Sequence, residues 1–337
     1  MVTDRNSGPK TAFVLAGGGS FGAVQVGMLR ELVGNGIVPD FVVGSSVGAI
    51  NGAYFAGAPT PEGVARLDAI WCGLRRRDVF PVTWRSLMGL LARRDYLVDS
   101  RGLRALLERC LPYRNLEDAV IPVHVVATDV LGGGTVRLST GSAADAVLAS
   151  CAIPAAFPPV RIGERQLIDG GVASNTPISV AVELGARRLF VLPTGFACTL
   201  ESPPRGAIAN ALHGLNLLVA NQLVRELERY RGKAEIITVP PLCPLAVSPY
   251  DFSHAGELIE RTAAQTRHWL ERRVLGEQRI PGALHPHSHA DGSETCEAPD
   301  GGVEQPIGRA GDEIPWNTGT RSSRGARHGA KNSSRAA

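Results

Sequence analysis

No stretch of this 337-residue chain holds the ~18 uninterrupted apolar residues of a bilayer-spanning helix. Charge of either sign is not in excess: 35 Lys and Arg against 32 Asp and Glu leave a formal +3, too little to demand nucleic acid or an acidic partner. The six cysteines include no Cys-x-x-Cys pair, so neither a zinc site nor a disulfide framework is expected. They read as reduced thiols of a cytoplasmic protein. The opening MVTDRNSGPK lacks the apolar core of a secretory signal.

What is present is ordinary globular material, 44% hydrophobic and 20% charged. Residues 11–16 (TAFVLA) read as a buried strand that ends in glycines. A helix from about Phe21 to Val33 follows, with Val24, Met28 and Leu32 facing the sheet. Gly34-Asn35-Gly36 stops it. A second strand at Asp40–Gly44 and a small-residue helix to about Gly57 complete a βαβα start. That start implies a mainly parallel sheet covered on both faces. Residues 59–118 read as a helical, cap-like region. Further strands are expected at 122–128, 135–139, 160–168 (as one strand), 188–192 and 235–239, with helices near 207–230 and 254–275. Residues 1–10 and the Gly-, Ser-, Pro- and His-rich tail 276–337 are expected to be disordered.

The glycines spell Gly17-x-Gly19-x-x-Gly22, the spacing of a dinucleotide loop. Such a loop needs an acidic residue at the end of the next strand. The only acid there, Asp40, stands at the strand's start. No Lys-Ser or Lys-Thr follows the glycines, so a P-loop is excluded as well. The second strand ends instead in Gly44-Ser45-Ser46-Val47-Gly48, a Gly-x-Ser-x-Gly elbow between strand and helix. The elbow lifts Ser46 to the C-terminal edge of the sheet as a candidate nucleophile. The neighbouring glycine loop, bare backbone at a helix N-terminus, reads as an oxyanion hole.

A serine needs a base. His124 sits in an apolar strand and His213 and His268 in long helices, while His285, His287, His289 and His328 lie in the tail. His254, at a loop–helix junction, is the one histidine placed to enter a site. The other candidate is Asp169 in Leu167-Ile168-Asp169-Gly170-Gly171, where Asp-Gly is also a common turn pair.

These motifs resemble the patatin-like phospholipases. The resemblance rests on Gly17-Gly18-Gly19-x-x-Gly22, Gly44-x-Ser46-x-Gly48 and Asp169-Gly170-Gly171 in that order, with Ala149-Ser150-Cys151-Ala152-Ile153-Pro154, Phe157-Pro158-Pro159 and Asn175-Thr176-Pro177. It spans roughly residues 11–200 of a catalytic domain set at 11–275. It implies a three-layer α/β/α fold, Ser46 as nucleophile, Asp169 as base in a dyad without histidine, and an oxyanion hole from the backbone of Gly17, Gly18, Gly19 and Ser20. It implies a lipid ester substrate and no cofactor or metal. The family often carries Arg or Lys before the last loop glycine, where Phe21 stands.

In residues 84–94 (WRSLMGLLARR), Trp84, Leu87, Met88 and Leu91 form one helical stripe flanked by arginines. It reads either as a helix packed on the domain or as a basic helix touching a membrane surface, peripheral to its inner face. Leu103, Leu106, Leu107 and Cys110 form a second stripe, read as core. Thr128-Asp129 ends a strand and reads as a turn in preference to a lining of the same cleft, and Ser142 with Asp145 reads as a helix start. Two rivals remain: an esterase using Ser46, an acid and His254, and a non-catalytic lipid-binding regulator. Acyl transfer shares the first half-reaction with hydrolysis.

Overall fold

A computed structural model describes residues 10–79, 96–195, 198, 206–245, 247–272 and 281–284. The stretch 84–94 and the tail histidines lie outside them.

Strand β1 (Thr11–Leu15) shows how the layers arise. Side chains alternate across a strand. Phe13 and Leu15 face one apolar cluster, with Val24, Met28, Leu32 and Ile259, while Ala12 and Val14 face another, with Ile178, Leu223 and Leu227. Strands β2 (Phe41–Ser45) and β7 (Arg188–Leu192) split their residues between the same two clusters. A sheet buried on both faces needs a helical layer on each. One layer holds α1 (Gly22–Gly34), α2 (Val47–Gly57), α3 (Pro61–Gly73) and α10 (Ala255–Glu271). The other holds α8 (Ile178–Glu183) and α9 (Ala207–Tyr230). The architecture is thus a three-layer α/β/α sandwich.

Among the described residues, eight strands form the sheet. The others are β3 (Val123–Asp129), β4 (Thr135–Leu138), β5 (Val160–Ile162), β6 (Arg165–Asp169) and β8 (Glu235–Thr238). Pairing neighbours run β5-β6-β3-β2-β1-β7-β8, with β4 also on β3. The β3–β2, β2–β1, β1–β7 and β7–β8 pairs are parallel, so the sheet is mainly parallel. The single strand expected at 160–168 is instead an antiparallel hairpin, β5–β6. Gly163, at φ 59°, makes the turn that an uninterrupted strand could not.

The register around β3 places the site. Val126 pairs with Ser45 and with Arg137, and Ala127 pairs with Val136 and with Asp169. Strand β4 runs unbroken along one edge through Arg137 and Val136. On the opposite edge β2 stops at Ser45 and β6 takes over at Asp169. The chain after β2 and the end of β6 therefore meet at one point.

Helix α1 is buried on nearly all sides, because α10 covers the side turned away from the sheet. At Gly27 a Cβ would meet the α10 backbone at Ile259 O and Ala263 N, so glycine permits that close crossing. Arg267 donates to both carboxylate oxygens of Glu31 (2.8 and 3.1 Å), and Arg30 to both of Glu260 (2.6 and 2.8 Å). Two further helices, α4 (Arg76–Val79) and α5 (Arg101–Cys110), follow α3. Helix α6 (Ala143–Ser150) starts as expected, with Ser142 accepting from Asp145 N (3.2 Å).

Two expectations need correction. The chain beyond 276 is not featureless: Gly282–Leu284 forms a 3-10 turn whose Leu284 is buried against the α8–α9 layer. The cysteines are not uniformly thiols: Cys72, Cys110, Cys151 and Cys198 are free, while Cys243 is disulfide-bonded. No described helix is long and apolar enough to cross a membrane.

Candidate active site

Ser46 links β2 to α2 with φ 54° and ψ −126°, a backbone state that costs on the order of 1–3 kcal/mol for a non-glycine residue. The glycines around it are obligatory by contact. A Cβ on Gly44 would strike Gly48 O, and one on Gly48 would strike Leu15 O and Ala16 O. Ser150, near the end of α6, holds the elbow: its hydroxyl accepts from Ser46 N (2.8 Å) and donates to Val126 O. The hydroxyl of Ser46 donates to Asp169 Oδ2 at 2.7 Å. Ser45 is fully buried, with its hydroxyl beside Gly170.

Asp169 is buried, 6% exposed. Its Oδ1 accepts from Gly171 N (2.7 Å), which opens helix α7 (Gly171–Ser174). Thr128 Oγ1 donates to Asp169 O (2.8 Å) and accepts from Ala173 N (3.1 Å), so Thr128 ties this loop to β3. Asp129 is the turn residue expected, accepting from Leu131 N and Gly132 N (both 2.9 Å). Burial pushes the Asp169 carboxyl up from 3.8 to about 6, against the hydrogen bonds from Ser46 and Gly171, which pull it down. Burial, and then the Asp169 charge, push the neighbouring Cys151 thiol well above its ordinary value. That thiol stays neutral and is no rival nucleophile.

The glycine loop continues β1 and passes beside Ser46: a Cβ on Gly17 would lie 3.0 Å from Ser46 Cβ. Of the four backbone amides expected to form an oxyanion hole, two are engaged. Gly17 N donates to Asn175 O (3.1 Å), and Ser20 N donates to Pro249 O (2.8 Å). Among the described residues, the N–H groups of Gly18 and Gly19 have no acceptor, which leaves them as the candidate donors. Phe21 is buried in the core and brings no charge to the loop.

Beneath the loop lies a buried polar chain that sequence reading missed. Trp71 Nε1 donates to Asn51 Oδ1 (2.8 Å), and Asn51 Nδ2 donates to Gln25 Oε1 (2.9 Å) and to Gly22 O (2.9 Å). Gln25 Nε2 donates to Ala16 O (2.8 Å) and Leu192 O (2.9 Å). It clamps the ends of β1 and β7 just before the glycines. Gln and Asn on helices carry no such message in a single sequence. Only the fold brings these three elements together.

His254 does not reach the pair. It precedes α10, about half-exposed, and its ring faces Glu257 (3.3 Å) and Asp251 (3.8 Å). His124 is half-buried in β3: burial, then Arg137, pull its pKa down to about 4, and Nδ1 meets Ser139 Oγ at 2.7 Å. Among the described residues, no cluster of His, Cys, Asp or Glu could hold a metal ion.

Ser46 and Gly19 stand at one wall of a cleft of about 810 Å³, its open mouth included. The remaining lining is almost wholly apolar, with Ile50, Trp71, Leu107, Ile153, Phe157 and Phe252 among its walls. The stripe on α5 is wall as much as core: Leu103, Leu106, Leu107 and Cys110 all line the cleft.

Fold and site together define an α/β domain with an exposed-edge serine elbow beside a buried carboxylate and a glycine loop. The patatin-like phospholipase family model matches residues 13–182, half of the chain, and the protein belongs to that family. It is 31% identical over 221 residues to an uncharacterized NTE family protein of Mycobacterium tuberculosis, covering 62% of this chain and 36% of that protein. It is 27% identical over 191 residues to patatin-like phospholipase domain-containing protein 7 of Rattus norvegicus, covering 56% of this chain and 14% of that one. The chain thus spans well under half the length of these relatives. Among solved structures, human GIVD cytosolic phospholipase A2 aligns with TM-score 0.43 at 13% identity, over 81% of this chain and 60% of that one. VipD from Legionella pneumophila aligns with TM-score 0.41 at 15% identity, over 79% and 67%.

Proposed function

We propose that the protein is a serine lipid acyl hydrolase of the phospholipase A, lysophospholipase or acylglycerol lipase type, working through a Ser46–Asp169 dyad. The observation that carries this reading is the 2.7 Å hydrogen bond from Ser46 Oγ to a buried carboxylate at the wall of an apolar cleft. Ser46 Oγ attacks the ester carbonyl carbon as its proton passes to Asp169. The carbonyl oxygen gains the charge and accepts from Gly18 N and Gly19 N. The N-terminus of α2 adds its positive dipole end at the reacting serine. Collapse breaks the ester C–O bond, and the leaving alcohol takes the proton held by Asp169. Water then attacks the acyl-enzyme, gives its proton to Asp169, and the released Ser46 oxygen recovers it as the fatty acid departs.

An ordinary aspartate is too weak a base for this work near neutrality. At about 6 the Asp169 carboxyl is still mostly ionised at pH 7 yet holds a proton more readily. The apolar cleft supports an acyl chain as the buried part of the substrate. Peripheral contact with a lipid surface belongs to the same proposal. Leu131, Val172, Leu217 and Leu218 are exposed, and Leu131 and Val172 follow β3 and β6, the strand ends that flank Ser46. Ser46→Ala is the test: it should abolish hydrolysis of a lipid ester panel and covalent labelling by a fluorophosphonate. Retention of full activity by this variant would refute the assignment. Failure of the folded wild type to label would favour a binding protein instead.

A further inference from the structure

The peptide between Gly17 and Gly18 has no local reason to keep one orientation. Neither flanking residue has a Cβ, so rotation about the neighbouring bonds meets little steric resistance. Yet its direction decides whether the Gly18 N–H is offered at the site. In a trans peptide the C=O and the following N–H point opposite ways. Whatever holds Gly17 O therefore aims Gly18 N.

Two buried side chains hold that oxygen. Thr194 Oγ1, just past β7, donates to Gly17 O at 2.8 Å, and Asn175 Nδ2, at the end of α7, donates to it at 3.3 Å. The two residues are 4% and 6% exposed. Asn175 also accepts the Gly17 N–H on its own carbonyl at 3.1 Å. Turning the peptide over would strand the carbonyl and both donors away from water, each a buried polar group left without its hydrogen bond. Asn175 is fixed in turn by Gln222 of α9, whose Oε1 accepts from Asn175 N at 3.3 Å.

We propose that Asn175 and Thr194 are positioning residues that lock the Gly17–Gly18 peptide with its Gly18 N–H presented as an oxyanion donor. Asn175 lies six residues after Asp169, on the same loop and short helix. One segment therefore supplies both the base and the pin for the cradle. This inference rests on the hydrolase reading above, and the experiment separates the two.

Wild type, Thr194→Val, Thr194→Ser and Asn175→Ala are compared on 4-nitrophenyl butyrate and its thiono analogue, whose sulfur accepts hydrogen bonds poorly. Valine keeps the shape of threonine and removes only the donor. The expected result for Thr194→Val and Asn175→Ala is a fall in kcat of about tenfold or more, below the 10²–10³ of losing an oxyanion donor outright. KM should stay within about twofold. The oxo-to-thiono rate ratio should fall towards unity, and Thr194→Ser should restore most of the rate and the ratio. A purely structural role would lower both substrates alike and leave the ratio unchanged, which would overturn the proposal. So would wild-type kcat in both Thr194→Val and Asn175→Ala. No Ser46-dependent hydrolysis by the wild type would overturn the hydrolase reading itself, and the lock with it.

Discussion

In the proposed dyad Asp169 carries the pH behaviour of the site. With Asp169 as the base, its proton must be absent for Ser46 to be deprotonated, so kcat/KM should rise with pH through a single acid limb centred near 6. A limb near the ordinary carboxylate value of ~4 would mean that burial does not govern this group. The same burial sets a stability effect of opposite sense. Between pH 3.8 and about 6 the folded state holds the Asp169 proton more tightly than the unfolded chain does. Unfolding stability therefore falls as pH rises across that window, by about 3 kcal/mol at most from this group. Asp169→Asn removes the buried charge, and its amide can still accept from Gly171 N while donating to Ser46 Oγ. We expect an inactive variant whose melting temperature exceeds the wild type's at pH 8 and approaches it at pH 4. A variant less stable at every pH would contradict this account.

The elements around the site are built on missing Cβ atoms, and that gives a contrast between two glycines. A Cβ at Gly48 meets the backbone oxygens of Leu15 and Ala16, which cannot swing aside, whereas a Cβ at Gly34 of α1 meets nothing within 4 Å. Gly48→Ala should lose about 3 kcal/mol or more by denaturant unfolding, or fail to fold. Gly34→Ala should be neutral or gain up to about 1 kcal/mol. Equal stabilities would show that the β2–α2 elbow relaxes freely. Much at this scale was legible in the sequence. The apolar runs mark β1, β2 and β7, and Gly44 and Gly48 mark the elbow. The turn at Gly163 was hidden, because Val160 to Ile168 reads as one strand unless the glycine's positive φ is known. The two spent amides were hidden for a different reason. Asn175 and Pro249 lie far along the chain, and no local pattern says where their carbonyls will point. The pairing of Ser46 with Asp169 came from the order of family motifs, since Asp-Gly-Gly alone also describes a turn.

Across the molecule, the cleft joins the sheet edge to helices α3 and α5. Leu106 of α5 and Ser46 of the elbow border the same space. Filling that space away from the serine should change what fits without touching the chemistry. Leu106→Trp should cut kcat/KM for long-chain esters by about tenfold while leaving butyrate esters near the wild-type rate, since roughly 0.8 kcal/mol is at stake for each methylene denied burial. A uniform loss for all chain lengths would place the acyl chain elsewhere. The α1–α10 contact belongs to this scale too. Helix α10 lies against α1, which begins at Gly22, the last glycine of the loop.

The shared edge of β3 works as a ruler. Strand β2 leaves it at Ser45 and β6 arrives at Asp169, one register position on. A single residue inserted into or deleted from β6 would shift the carboxylate by ~3.3 Å and turn it through the sheet to the other layer. Hairpin length, and not only residue identity, is therefore under constraint. The count of residues from Gly163 to Asp169 should hold fixed wherever the serine keeps its partner.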